Sequence, residues 1–139
     1  RFGDPETQVL MPRMDSEILP AMIACSNGGI SEVDISWSPD VAVGVVLASR
    51  GYPGEFSTGH TIDFLRSIDD SALILHAGTG IRTSRDSGTE LVTAGGRVLT
   101  VVGQSYDLAT ARSRAYEAIE CIKFFGKEYR SDIAEFPHK

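Results

Sequence analysis

Cysteine is scarce in this 139-residue chain. Cys25 and Cys121 are far apart, with neither metal-ligand nor C-x-x-C spacing. Inside predicted helices they read as two reduced, buried thiols of a cytosolic protein rather than a disulfide framework. His60, His76 and His138 form no ligand cluster, so no metal site is expected within the chain. Basic residues are outnumbered, 13 Lys and Arg against 19 Asp and Glu, for a net charge of −6. That argues against a nucleic-acid partner, because phosphate-backbone binding relies on clustered cations. No apolar run approaches the roughly 20 residues of a membrane span. With no signal-peptide pattern either, no membrane partner and a cytoplasmic location are expected. Repeats and low-complexity segments are missing too. What is left, 42% hydrophobic and 23% charged, is the composition of an ordinary globular domain. At this length one such domain buries about two-thirds of the surface its unfolded chain exposes.

The most informative segment is the first, Arg1-Phe2-Gly3-Asp4-Pro5-Glu6-Thr7-Gln8. It sets a permanent cation, two carboxylates and a permissive glycine ahead of an apolar run. Lacking an initiator Met and a polar lead-in, it reads as an active-site strand-to-helix junction whose upstream half belongs to a larger enzyme. A guanidinium beside two acids at a helix start can hold a carboxylate, a phosphate or a primary amine. Arg1 and Asp4 are equally able to form a local ion pair, which when exposed contributes under about 1 kcal/mol.

Along the chain, Pro5 suits a first helical turn, and Val9, Leu10, Met11 and Met14 predict a short helix. Asp15 or Ser16 is expected to cap a second, whose face carries Ile18, Leu19, Met22 and Ile23. Asn27-Gly28-Gly29 supplies its left-handed stop. The turn-rich Ser36-Trp37-Ser38-Pro39-Asp40 marks a boundary, giving units 1–38 and 39–139. The valine-rich run Val41 to Ala48 predicts a buried strand. Further strands are expected at Thr61 to Phe64, Ala72 to Ala77, Glu90 to Thr93 and Val98 to Val102. Asp69-Asp70 marks a turn, and Ala94-Gly95-Gly96-Arg97 is expected to join the last two strands as a hairpin. Asp107 to Ile122 predicts a long helix with Leu108, Ala111, Ala115, Ile119 and Ile122 as its buried stripe. The tail from Phe125 is expected to pack across the sheet. The fold class is therefore α+β, a mostly antiparallel sheet covered by one long helix.

Two phosphate-loop patterns fail on context. Gly54 to Thr61 has Walker spacing, but His60 stands where the lysine must be and no helix follows. Gly78-Thr79-Gly80 lacks the third glycine of a dinucleotide fingerprint. His76 reads as a hydrogen-bonded strand end, and Arg82, Arg85 and Arg97 as surface cations unless they gather on a phosphate. The glycine turns at 51–54, 78–80 and 95–97 each let backbone N–H groups approach a ligand.

Taken in order, the octet Arg1 to Gln8, then Leu47-Ala48-Ser49-Arg50-Gly51-Tyr52-Pro53-Gly54, His76-Ala77-Gly78-Thr79 and Gly95-Gly96-Arg97-Val98-Leu99 resemble the glycinamide ribonucleotide synthetase family, the phosphoribosylamine–glycine ligases of purine biosynthesis. The resemblance runs from Arg1 to about Ile133. It implies the end of an ATP-grasp domain in 1–38 and the C-terminal α+β domain in 39–139. It further implies a ligase that uses ATP to activate the glycine carboxylate for attack by 5-phosphoribosylamine, inactive as this piece alone. The cofactors implied are ATP and magnesium or manganese, whose ligands in the family are a Glu and an Asn just ahead of the octet. Arg1 then takes the place of an arginine that neutralises the transferring group. Gly3, Asp4, Pro5 and Glu6 are substrate-binding candidates, with Asp4 and Glu6 able to orient an amine or ammonium. The turns Gly51-Tyr52-Pro53-Gly54 and Gly95-Gly96-Arg97 would close over the phosphoribosyl substrate. The implied partners are glycine, 5-phosphoribosylamine and the N-terminal remainder of the enzyme. One departure stands out: Arg130-Ser131-Asp132-Ile133-Ala134 carries alanine where the family tail has glycine. Arg50 also replaces a small residue or a lysine. Other readings are a different ATP-grasp ligase or carboxylase, against which the Gly-Tyr-Pro-Gly loop speaks, and a non-catalytic sugar-phosphate-binding module.

Overall fold

The computed structural model describes residues 2–64, 70, 72–84 and 88–135. Arg1, Asp69, Arg85, Phe136 and His138 lie outside the described residues.

Helix α1, Glu6–Leu10, runs into a 3-10 turn at Met11–Arg13. Pro5 precedes α1 rather than opening it, and Pro12 falls at the start of the 3-10 turn, where a missing N–H costs nothing. Helix α2, Ile18–Asn27, follows Glu17 with no side-chain cap. The expected cap from Ser16 is lost because Ser16 Oγ accepts the Ser36 N–H instead, at 3.2 Å. Gly28 ends α2 at φ +76°, as the sequence predicts. The segment 30–37 returns alongside, with Asp15 N–H donating to Ser36 O at 3.0 Å and Ser38 N–H to Arg13 O at 2.7 Å. Helix α2 buries only Ala21. Cys25 on it is exposed, correcting the expectation of two buried thiols; Cys121 is buried.

The remainder holds strands β1 Val41–Ser49, β2 Asp63–Phe64, β3 Ala72–His76, β4 Thr79–Ser84, β5 Gly88–Thr93 and β6 Arg97–Ser105, then helix α3 Leu108–Glu120, then β7 Ile122–Lys123 and β8 Lys127–Glu128. The main sheet has the order β3-β6-β1-β8, with antiparallel pairings throughout. Val43, Val45 and Leu47 of β1 stand opposite Gly103, Val101 and Leu99 of β6. This is the face on which α3 rests. A methyl at Gly103 would meet Ala115 N at 2.6 Å, so the helix backbone lies directly on that glycine. Ala111, Ala115 and Ile119 of α3 are fully buried against it, as the predicted stripe requires. Burial of this kind contributes about 25 cal/mol per Å² of apolar surface. On the opposite face α1 reaches the sheet through Val9, whose Cγ1 would lie 2.8 Å from a methyl at Gly44.

Asp107 caps α3 by accepting the Thr110 N–H at 2.9 Å. The backbone and side-chain hydrogen bonds from Thr110 hold its carboxyl below the ordinary value of 3.8. The tail docks on α3: Tyr116 OH donates to Arg130 O at 2.7 Å, and Arg112 Nε donates to Ile133 O at 2.9 Å. Ala134 adopts φ +56°, a left-handed conformation that favours glycine over an L-residue.

The hairpin expected at 94–97 does not form. β5 pairs with β4, and β6 with β1 and β3. Residues 94–96 are a bend that carries the chain from the two-stranded sheet into the main one, and residues 77–78 make the matching bend between β3 and β4. The bends touch backbone to backbone: Gly78 N–H donates to Arg97 O at 2.8 Å and Ala94 N–H to Gly78 O at 2.7 Å. A methyl on Gly78 would lie 2.7 Å from Gly95 Cα, so both glycines are required for the crossing. The residues 59–62 extend the small sheet along β5, with Ile62 N–H donating to Leu91 O at 2.8 Å.

Candidate substrate site

Three of the segments singled out by sequence meet at one end of the main sheet. The pairing of β1 with β6 shifts register between Leu47 and Ala48, an irregularity of the kind that redirects a strand end. Just beyond it, Ser49 N–H donates to Gly96 O at 2.8 Å and Ser49 Oγ donates to Gly95 O at 3.0 Å. The loop that leaves β1 is thereby fastened to the bend that enters β6.

Gly51 takes φ +97°, and a side chain there would collide with the Glu55 carbonyl, so only glycine serves this turn. Tyr52 N–H donates to Ser49 O at 3.1 Å, and Gly54 N–H to Gly51 O at 2.8 Å. Tyr52 and Phe56 meet edge-on with centroids 6.2 Å apart. Both rings lie over Gly96, where an added methyl would be 2.8 Å from Tyr52 Cε2 and 3.1 Å from Phe56 Cε1. The loop 51–56 thus closes on the bend 95–97, with half-exposed aromatic rings as its wall.

The octet arrives from the other side. Gly3 has φ +87° and sits under the Glu6 carboxylate, and Thr7 Oγ1 donates to Gly3 O at 2.5 Å. Arg97 reaches Asp4 twice: Nη2 donates to Oδ2 at 2.7 Å and Nη1 to the backbone O at 3.2 Å. Gln8 Nε2 donates to the remaining Asp4 oxygen at 3.0 Å. Asp4 therefore makes its ion pair with a residue 93 positions away. Both of its carboxylate oxygens are engaged. Glu6, by contrast, carries no hydrogen bond or ion pair among the described residues. Gln8 Oε1 is buried with no partner among them.

Gly3, Asp4, Pro5 and Glu6 are thus linked through Asp4 to Arg97, and Gly51, Tyr52, Pro53 and Gly54 through the Tyr52 ring to Gly96 beside Gly95, while Arg1 lies outside the described residues. Gly78 supports the bend from behind. Ser49, Phe56 and Gln8 join the site without having been singled out. Gln8 sits one helical turn after Asp4, and that spacing was its signal. Arg82 and Arg97 are each held by a carboxylate, and Arg85 lies outside the described residues. Arg82 Nε donates to Glu90 at 3.2 Å and Nη1 to Gly59 O at 2.8 Å, whereas Arg97 is held by Asp4. His76 is an exposed strand end bonded to Thr79 Oγ1 at 2.9 Å. His60 meets Ser57 Oγ at 2.8 Å, and the Walker-like stretch runs on into the short strand β2 at Asp63–Phe64. Among the described residues no three His, Cys, Asp or Glu side chains gather to hold a metal ion, and no helix is long and apolar enough to cross a membrane.

Fold and site together define a small α/β domain of antiparallel sheets with few helices, joined at the Arg97–Asp4 contact to a short helical segment from outside the sheet. Residues 42–136 match the family described as phosphoribosylglycinamide synthetase, C domain, and the chain belongs to that family. It is similar to the phosphoribosylamine–glycine ligase of Phenylobacterium zucineum strain HLK1, at 46% identity over 96% of this chain and 31% of that protein. The chloroplastic ligase of Arabidopsis thaliana is 43% identical over 96% of this chain and 25% of its own length. A bifunctional purine biosynthetic protein of Dictyostelium discoideum is 39% identical over 97% of this chain and 16% of its own length. The crystal structure of phosphoribosylamine–glycine ligase from Thermotoga maritima matches with a TM-score of 0.67 and 35% identity, covering 94% of this chain and 31% of that one. The chain spans about a third or less of the length of the relatives it matches.

Proposed function

We propose that this chain is the C-terminal part of a ligase that joins glycine to 5-phosphoribosylamine, forming glycinamide ribonucleotide with hydrolysis of ATP to ADP and phosphate. The observation that carries the proposal is the linkage of the octet to the 95–97 bend through Asp4 and Arg97, and of that bend to the 51–54 loop through Gly96 and Tyr52, in a chain aligned over nearly all its length with enzymes of that name. Residues 1–38 are the end of an ATP-grasp domain and 39–139 the C-terminal domain. The family match beginning at residue 42 supports that division.

The residues divide the work by chemistry. Arg1 neutralises negative charge on the transferring group. Glu6, unengaged and exposed beside Gly3, orients the ammonium of glycine or the amine of phosphoribosylamine. Asp4, both of whose oxygens are taken, positions Arg97 and the bend behind it. The 51–54 and 95–97 turns, with the Tyr52 ring, close over the phosphoribosyl group and exclude water. ATP and magnesium or manganese are held by the polypeptide preceding Arg1. Bound there, they supply the phosphoryl group and its counter-charge. The enzyme works in the cytoplasm, without nucleic-acid or membrane partners.

The test is to assay the full-length polypeptide for ATP-dependent incorporation of glycine into glycinamide ribonucleotide. Product together with stoichiometric ADP is expected, and the 139-residue piece alone should give neither product nor ATP binding by calorimetry. A full-length protein that makes no product, or nucleotide binding by the short piece, refutes the proposal.

A further inference from the structure

Gln8 has an amide where a side chain that only filled space would be apolar. Its nitrogen donates to Asp4 Oδ1 at 3.0 Å, while Asp4 Oδ2 takes the Arg97 guanidinium at 2.7 Å. A carboxylate paired with a guanidinium only accepts, so the amide nitrogen must face Asp4 and the amide oxygen must point away. That oxygen, Oε1, is buried and has no hydrogen-bond partner among the described residues. An unpaired acceptor in such a place lowers stability, and an apolar side chain of the same length would avoid the loss. What the amide gains there is one bond, the bond to Asp4.

That bond completes a relay. The next residue, Val9, seats α1 on the sheet against Gly44, and the Gln8 N–H donates to Pro5 O at 3.2 Å. From this anchored position the contacts run through Asp4 to Arg97 and into the bend at 95–97, which Ser49 fastens from β1. One donor leaves a carboxylate free to turn about its side-chain torsions, whereas a second donor on the other oxygen fixes its plane. We infer that Gln8 is a positioning residue of the ligase reaction, acting through Asp4 on Arg97 and on the bend that lies against the Tyr52 ring. The inference rests on the functional reading above, in which the octet and the bend meet the glycine and phosphoribosylamine substrates. ATP is held by the preceding polypeptide in that reading, so the relay acts on turnover and not on nucleotide binding.

The test is Gln8→Met in the full-length ligase, which keeps the length of the side chain and removes the donor and the unpaired oxygen together. Turnover should fall at least about tenfold while KM for ATP stays within about twofold of wild type. A side chain that only fills space would tolerate methionine with kcat intact, so a smaller fall overturns the inference. The same substitution is made in an Asp4→Ala enzyme, where the relay is already cut. It should lower kcat no further there, and a second full loss places the effect of Gln8 elsewhere and overturns the inference equally. Gln8→Glu keeps the polar shape and serves if the methionine variant fails to fold. It sets a carboxylate oxygen where the amide donated, so kcat should again fall at least about tenfold, and a lesser fall overturns the inference. A wild-type enzyme that makes no glycinamide ribonucleotide sinks the functional reading and this inference with it. An active wild type with indifferent Gln8 variants sinks the inference alone.

Discussion

In the ligase proposed above, breaking the contact between Arg97 and Asp4 should cost the full-length protein far more in turnover than in stability. The pair joins a residue of β6 to the octet through one charge-assisted contact of 2.7 Å and one contact of 3.2 Å to a backbone carbonyl. Its side chains are 38% and 53% exposed, so solvent and salt screen most of the attraction. The expected stability loss for Arg97→Met or Asp4→Asn is therefore about 0.5–1 kcal/mol. Positioning is a different matter, because a shift of about 1 Å in a reacting group can lower a rate by about a hundredfold. Either variant should lower kcat by roughly ten- to a hundredfold with little change in KM for ATP. The Asp4→Asn, Arg97→Met double variant should be about as slow as the worse single one, since both remove the same contact. Steady-state ADP release on the four proteins, with urea melts beside it, measures both quantities. Losses that multiply in the double variant would refute the shared-contact argument. An unchanged kcat in both single variants would remove the pair from the mechanism.

Ala134 holds φ +56° at the cost an L-residue carries in that region. Ala134→Gly should raise stability by up to about 1 kcal/mol, read as a higher urea midpoint, and an unchanged or lower midpoint counts against the strain. Asp107 contributes stability that is complete above its ordinary value of 3.8 and is lost as pH falls through its lowered folded value. Asp107→Asn keeps a capping oxygen, so neutral stability should stay close to wild type while the acid limb of the stability profile flattens. Urea midpoints taken between about pH 2 and 5 decide this, and an undiminished acid slope in the variant contradicts the cap assignment.

What the sequence reveals follows from how local each signal is. The strand at Val41–Ser49 is legible because an uninterrupted valine-rich run is what a strand covered on both faces requires. Helix α3 is legible from Asp107 and from apolar residues three and four apart. β4 is not legible. Its residues Thr79 to Ser84 are polar apart from Ile81, which is 73% exposed, so no burial pattern marks it. Without β4, β5 has no visible partner except β6, and the bend at 94–96 reads as a hairpin. The pairing of Asp4 with Arg97 is equally out of reach, because 93 residues of chain separate the two charges and Arg1 stands much nearer in sequence. The turns at 51–54 and 95–97 are legible, since their glycines declare themselves through turn chemistry, whereas the contacts that link them to each other and to the octet are not. The exposure of Cys25 has a similar origin: helical periodicity reports an apolar face, not whether that face is covered.

The contact between Gly78 and Gly95 carries a consequence for how this domain can vary. Elsewhere in a packed interior, enlarging one residue can be offset by shrinking its neighbour. At this crossing each partner is already the smallest residue available, and the opposing atoms are main chain. No second substitution can rescue the first. Sequence drift should halt at these two positions while running freely in the surrounding strands, because the bend that presents Gly96 and Arg97 has only one solution.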